Sequence, residues 1–150
     1  MDAYLVLKLV HILAAIVAVG SNVTYFWWLR QAQGEAAHGP FILEGIRGMD
    51  ARLANPAYVV LPLTGIGMVL LGDLGFTRLW IALAIGLYIA MGAFAGIAFS
   101  PSLRRQLDLA VSGDAASAQY AAAARRTTST GLITMLLILA IVVLMVFKPG

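Results

Sequence analysis

Four long apolar segments constrain this chain more than any other feature of its sequence. They span residues 3–29, 56–71, 79–99 and 131–147. A helix needs roughly 20 mostly apolar residues to cross the hydrocarbon core of a bilayer. The composition agrees, because 61% of the residues are hydrophobic and 11% are charged, whereas soluble domains are about 25% charged. The segments therefore predict an all-α fold, a four-helix transmembrane bundle in which residues 1–150 form a single integral membrane domain surrounded by lipid.

The connections between the segments predict how the helices are arranged. The stretch GDLGFTR predicts a tight turn between the second and third segments, and therefore an antiparallel hairpin. The stretch FILEGIRGMDARLANP predicts an amphipathic helix that ends near Asn55-Pro56, with Asp50 and Arg52 on its solvated face. Its apolar residues recur at helical spacing: Ile42, Ile46, Met49 and Leu53. The stretches SPSLRRQLDLAV and ASAQYAAAARRTTSTG are expected to extend the third and fourth helices.

Basic residues are distributed unevenly between the two sides of the predicted bundle. Seven arginines fall in the two long connections, residues 30–55 and 100–130, whereas Lys8, Arg78 and Lys148 lie towards the opposite side. The positive-inside rule therefore places the long connections and their helical extensions in the cytoplasm. Both termini are then outside, an N-out/C-out topology, which in a bacterial inner (cytoplasmic) membrane means the periplasm. Because the basic residues are spread over loops, nucleic-acid binding is not expected.

Lys8 and His11 are ionisable residues inside the apolar first segment. On a helix they share one face with five other residues: Tyr4, Ala15, Ala18, Asn22 and Tyr25. This face is expected to look into the bundle, with Ala15, Ala18 and Asn22 packed against another helix. Lys8 can extend its ammonium to the interface, whereas His11 lies about 10 Å deeper than Tyr4. The imidazole needs polar partners there, so a packing histidine, a haem ligand and a proton relay all remain open.

The number of histidines limits how a haem could be held. His11 and His38 are the two histidines of the chain, and they are predicted on opposite sides of the membrane. One chain therefore cannot supply both axial ligands of one haem from histidine. A haem b would be bound by His11 alone, by His11 with Lys8 or a methionine, or by His11 from each of two copies. The haem iron is the only metal for which the sequence offers a ligand, since it contains no cysteine and no histidine cluster.

The remaining segments contain packing features rather than catalytic groups. In the stretch GAFAG, Gly92 and Gly96 are four residues apart, which allows close helix packing within the chain or with a partner helix. Pro62, which is followed by Thr64 and Gly65, predicts a kink in the second helix. The interiors of the last three segments contain no Asp, Glu, Lys, Arg or His. No phosphate-binding loop or nucleophile elbow occurs either, so no catalytic residue is assigned and a non-catalytic role is favoured.

Three stretches resemble a known family. They are YLVLKLVHILAAIVAVGSNV at the start, RLANPAYVVLPLTGIGMVLLG in the second segment and LMVFKP near the end. They are similar to a bacterial family of small predicted integral membrane proteins, filed as a domain of unknown function. Its members share the K-x-x-H-I opening, four spans and the M-V-F-K-P close. The resemblance covers nearly the whole chain and implies a membrane protein without an established activity.

A more distant similarity is to haem-dependent membrane protoporphyrinogen oxidases and copper-resistance membrane domains. Those chains also place a lysine and a histidine early in the first span and a proline at the inner start of the second, as Lys8, His11 and Pro56 do here. The similarity implies that His11 is a haem b ligand and Lys8 its neighbour. The oxidases carry further polar ligands in a later span, where the third segment here offers only Trp80 and Tyr88.

Two classes of function therefore remain open from the sequence. One is a non-catalytic accessory or assembly subunit that packs against the helices of other membrane subunits or against a second copy. The other is a haem-b-binding redox or haem-handling protein built around His11. The small size and the GAFAG stretch favour the first class, and the inward-facing histidine and the distant similarity favour the second.

Overall fold

The computed structural model describes residues 2–34 and 37–149 of the chain. Within these ranges all regular structure is helical, and each of the long helices is long and apolar enough to cross a membrane. There are four of them: α1 (Ala3–Gly34), α2 (Gly39–Leu71), α3 (Leu79–Val111) and α4 (Ala118–Phe147). The prediction of an all-α chain with four candidate spans is confirmed.

The helices extend well beyond the apolar segments. α2 continues without interruption through Asn55-Pro56, so the prediction that the amphipathic helix ends there is wrong. α3 continues past Pro101 and ends before Gly113, which has a positive φ of 85°, and α4 includes the predicted alanine-rich extension. At 33 residues, α2 is about 50 Å long. Since the hydrocarbon core is about 30 Å thick, part of it projects outside.

Two prolines are accommodated in these long helices by π-helical turns. One turn covers Asp50–Ala54 in α2 and the other covers Ala95–Phe99 in α3, and each ends two residues before a proline, Pro56 or Pro101. In a regular α-helix the proline ring clashes with the carbonyl four residues earlier and donates no N–H. The wider π turn loosens the backbone at this point and changes the phase of the residues that precede it.

The helices pack in the order α2, α1, α4, α3. α1 packs on α2 through Ala14 and Ala18 against Ala57, and α3 packs on α4. Although a seven-residue turn joins α2 to α3, residues 55–71 and 79–94 have no Cα atoms within 8 Å of each other. The predicted hairpin is therefore antiparallel but splayed, and its helices meet again where their far ends pack together.

The largest hydrophobic core lies at the end of the bundle where the helix extensions meet, largely outside the predicted spans. It draws buried side chains from all four helices, among them Leu29, Leu43, Phe99, Leu103 and Tyr120. The apolar spans instead expose large side chains on their outer faces, which suits helices in contact with lipid.

Candidate functional site

His11 is half-buried between α1 and α2. Its Nδ1 lies 2.9 Å from Oγ1 of Thr64 and 3.1 Å from the carbonyl oxygen of Leu61. A carbonyl only accepts, so Nδ1 carries the proton and donates it. The Thr64 hydroxyl in turn donates to the carbonyl of Val60 at 2.8 Å, which leaves its lone pair for the imidazole. A Cβ on Gly65 would lie 3.3 Å from Cε1 of His11, so this glycine makes room for the ring. The neutral imidazole therefore carries its free lone pair on Nε2.

A chain of polar side chains crosses the bundle next to this site. Pro62 cannot donate an N–H to the carbonyl of Tyr58, and the hydroxyl of Tyr88 in α3 donates to that carbonyl instead. The hydroxyl of Tyr58 faces α1, where Nδ2 of Asn22 donates to it and also to the carbonyl of Ala18, at 2.9 Å. These bonds link α1, α2 and α3 across the splay between α2 and α3.

The splay leaves a cleft of about 220 Å³ between α2 and α3. It lies beside both π-helical turns, and its polar lining consists of seven side chains: Asn22, Asp50, Asn55, Tyr58, Tyr88, Ser100 and Thr134. Because Asp50 is half-buried in this cleft, the expectation that it lies on a solvated face is wrong, whereas Arg52 is exposed as expected. The π turn that begins at Asp50 changes the phase of the helix, which regular helical spacing does not anticipate.

The carboxylate of Asp50 has no basic partner within the described part of the chain. Arg47, one turn earlier, pairs with Glu44 at 2.6 Å. The hydroxyl-bearing side chains of Tyr58, Tyr88 and Thr134 line the same cleft as Asp50. Tyr25 is 3% exposed, and its hydroxyl has no hydrogen-bond partner among the described residues. A carboxylate without a counter-charge, flanked by hydroxyls and aromatic rings, suits a cationic ligand.

The residues predicted on the inward face of α1 are brought together only in part. Ala18 is 1% exposed and Ala15 is half-buried, both on the side that faces α2. Asn22 is half-buried in the polar chain described above. Lys8, by contrast, is exposed, and no hydrogen bond or ion pair joins it to another described residue. Lys8 and His11 therefore lie one turn apart without a shared partner.

Gly92 and Gly96 form part of the α3 wall of the cleft. A Cβ added at either position would meet no described atom within 4 Å. The close helix contact that the GAFAG stretch favours is therefore not made within the described part of the chain, and a contact with another molecule stays a prediction.

The two histidines lie at opposite ends of α1. His38 caps the start of α2, and the helical residues from 11 to 34 alone extend about 35 Å. A single chain therefore does not present both imidazoles to one haem, in agreement with the sequence.

Sequence reasoning missed Tyr58 and Tyr88 as partners. A signal was present, because Pro62 frees a carbonyl that needs a donor, and Tyr88 carries the one hydroxyl of the third apolar segment. The sequence alone does not show which helices pack against each other, and so it did not pair Tyr88 with Tyr58.

Comparison with known proteins identifies the family. Residues 5–149 match the family of predicted integral membrane proteins designated DUF2269, and the chain belongs to this family. The resemblance carried by the K-x-x-H-I opening and the M-V-F-K-P close is thereby confirmed. No curated protein and no solved structure matches the chain.

Proposed function

We propose that the chain is a non-catalytic accessory or assembly subunit, held in a membrane complex by a helix of a partner protein that packs on α3. The observation that carries this proposal is an exposed face of α3 that contains a row of small residues at steps of four and three: Ala82, Gly86, Ala90 and Ala93. The exposed side chains of Ile89 and Ile97 flank this row. Small side chains let the backbones of two membrane helices approach closely. Gly92 and Gly96 line the cleft next to this face, so a helix contact at these two glycines is not part of the proposal.

The proposed topology places the arginine-rich connections and the helix extensions in the cytoplasm of a bacterium. Both termini lie in the periplasm, and the bundle lies in the inner membrane. Seven of the ten basic residues fall in the two long connections, and this asymmetry supports the orientation.

Site-specific photo-crosslinking in native membranes tests the accessory role. With benzoyl-phenylalanine at Ala90 or Ala93 we expect a protein adduct of one defined mass, because the reactive ketone would touch the partner helix. The matched control is Val143, an exposed residue of α4, at which we expect adducts with lipid alone. Mass spectrometry then identifies the adduct, and we expect a transmembrane segment of another protein. An adduct with a second copy of this chain redirects the proposal to self-association, and lipid adducts at all three positions contradict it.

A second candidate function, haem binding, is favoured by the tautomer of His11. Histidines that bind metal usually donate their other ring N–H to a carbonyl or carboxylate, as Nδ1 of His11 donates to Leu61. Nε2 is then available as one axial ligand, and the exposed Lys8 could pair with a propionate. His11 lines neither of the two described cavities. A haem would therefore lie on the outer surface of α1 and α2 or between two copies. Bound haem would supply one-electron redox chemistry.

An absorption spectrum tests the haem candidate. In protein expressed with ample haem, we expect a Soret band, with α and β bands after reduction by dithionite. Replacing His11 with alanine should remove all three bands, because the iron loses its protein ligand. Replacing His38 with alanine is the matched control and should leave them unchanged. A flat visible spectrum from folded wild-type protein would rule out the candidate.

A further inference from the structure

The cleft between α2 and α3 has the electrostatics of a cation site. Of the side chains that line it, Asp50 alone is charged, and this carboxylate has no basic partner among the described residues. Burying a carboxylate partly without a counter-charge is unfavourable unless something else compensates the charge. The two π-helical turns lie beside the cleft, and such turns are frequent at functional sites.

The cleft contains several hydrogen-bond acceptors, which together suit a ligand that donates several hydrogen bonds. Both donor positions of the Asn22 amide are directed to Ala18 and Tyr58, so its oxygen remains available to accept. The amide of Asn55 and the carboxylate of Asp50 add further acceptors. The aromatic rings of Tyr58, Tyr88 and Phe99 also line the cleft, and ring faces attract cations.

The position of Asp50 along α2 corresponds in depth to the lipid head groups. Asp50 is 21 residues from Leu71 at the other end of the helix, a distance of about 30 Å. The hydrocarbon core of a bilayer is also about 30 Å thick. With Leu71 at one membrane surface, Asp50 therefore lies at the level of the head groups of the opposite leaflet, and Tyr58 lies deeper.

We infer that this cleft binds a primary ammonium group through Asp50, Asn22 and Asn55. The group belongs either to the head group of an aminophospholipid or to a soluble amine. A primary ammonium has three N–H donors for these acceptors, whereas a quaternary ammonium has none. The open α3 wall at Gly92 and Gly96 leaves room for the rest of a lipid molecule. The inference goes beyond the accessory role and does not depend on it.

Lipid binding by the purified protein, stripped of its native lipid, tests the inference. Native mass spectrometry is used to titrate it with phosphatidylethanolamine, phosphatidylcholine and phosphatidylglycerol of identical acyl chains. We expect phosphatidylethanolamine to bind most tightly and Asp50→Asn to weaken its binding by about tenfold or more, since a hydrogen bond to a charged group is lost. Phosphatidylglycerol binding should stay unchanged. Ethanolamine added alone distinguishes the sources. Binding of ethanolamine that depends on Asp50 indicates a soluble amine, and its absence beside tight lipid binding indicates the lipid.

Two further variants keep the test decisive. Asp108→Asn removes an exposed carboxylate of the α3 extension and should leave phosphatidylethanolamine binding unchanged. Gly96→Leu should fill part of the cleft, because an added Cβ would meet no described atom within 4 Å, and it should weaken binding while thermal stability is retained. Equal binding of phosphatidylcholine and phosphatidylethanolamine would overturn the inference. Equal losses from Asp50→Asn and Asp108→Asn would overturn it as well.

Discussion

Replacing Leu43 with alanine should lower the free energy of unfolding by about 2–5 kcal/mol, the usual range for a buried leucine. Leu43 is 0% exposed and lies in the core formed by the helix extensions. Removing its methyl groups leaves a cavity among side chains from several helices, which cannot all close in at once. The loss is measured as a shift of the unfolding midpoint when the protein in mixed micelles is titrated with dodecyl sulfate and helicity is followed by circular dichroism.

Phe41 provides the matched control for this change. It lies two residues earlier on the same helix but is 81% exposed, so Phe41→Ala should change the free energy of unfolding by no more than about 0.5 kcal/mol. Equal and small losses from the two variants would mean that the extensions contribute little to stability. The bundle would then be stabilised by its membrane spans alone.

The four helices were predictable from the sequence, but the place of the largest core was not. The stretch from Phe41 to Leu53 is amphipathic, and the sequence predicted it as a cytoplasmic helix that ends near Asn55-Pro56. In the structure Leu43 and Ile46 are buried, whereas Leu53 is 50% exposed. The reason is the π turn at Asp50–Ala54, which rotates Leu53 away from the face of the helix that carries Ile46. The burial of this face depends on how the extensions of the other helices pack against it, which the sequence does not show.

The candidate site, too, could be predicted from the sequence only in part. The inward face of α1 follows from residues spaced three and four apart, so the direction of His11 was predictable. Its partner Thr64 is 53 residues away, and sequence spacing within one helix cannot identify a partner on another. The cleft was even harder to predict from the sequence. It depends on the splay of α2 and α3, and its charged group, Asp50, begins the π turn that the sequence pattern did not reveal.

Replacing Gly65 with leucine should separate α1 from α2 at His11. The Cβ alone would lie 3.3 Å from Cε1 of His11 and 3.7 Å from its Nδ1, and the rest of the leucine has to occupy space that the imidazole fills. The ring is then displaced from Leu61 and Thr64. Overpacking of this kind lowers the free energy of unfolding by about 1–3 kcal/mol, and the same dodecyl sulfate titration measures it.

Gly20→Leu is the matched control, because Gly20 is an exposed helical glycine of α1 with no described atom within 4 Å of an added Cβ. It should be neutral or slightly stabilising, since leucine favours the helix more than glycine does. A ¹⁵N spectrum of the imidazole adds a direct readout. Wild type and Gly20→Leu should show the Nδ1–H tautomer that the carbonyl of Leu61 requires, and Gly65→Leu should show a mixture of tautomers. If Gly65→Leu retains both the stability and the tautomer of the control, His11 is not held against α2. The hydrogen bond from Nδ1 to the carbonyl of Leu61 would then be absent, and the lone pair would no longer be fixed on Nε2. His11 would no longer be favoured as a haem ligand.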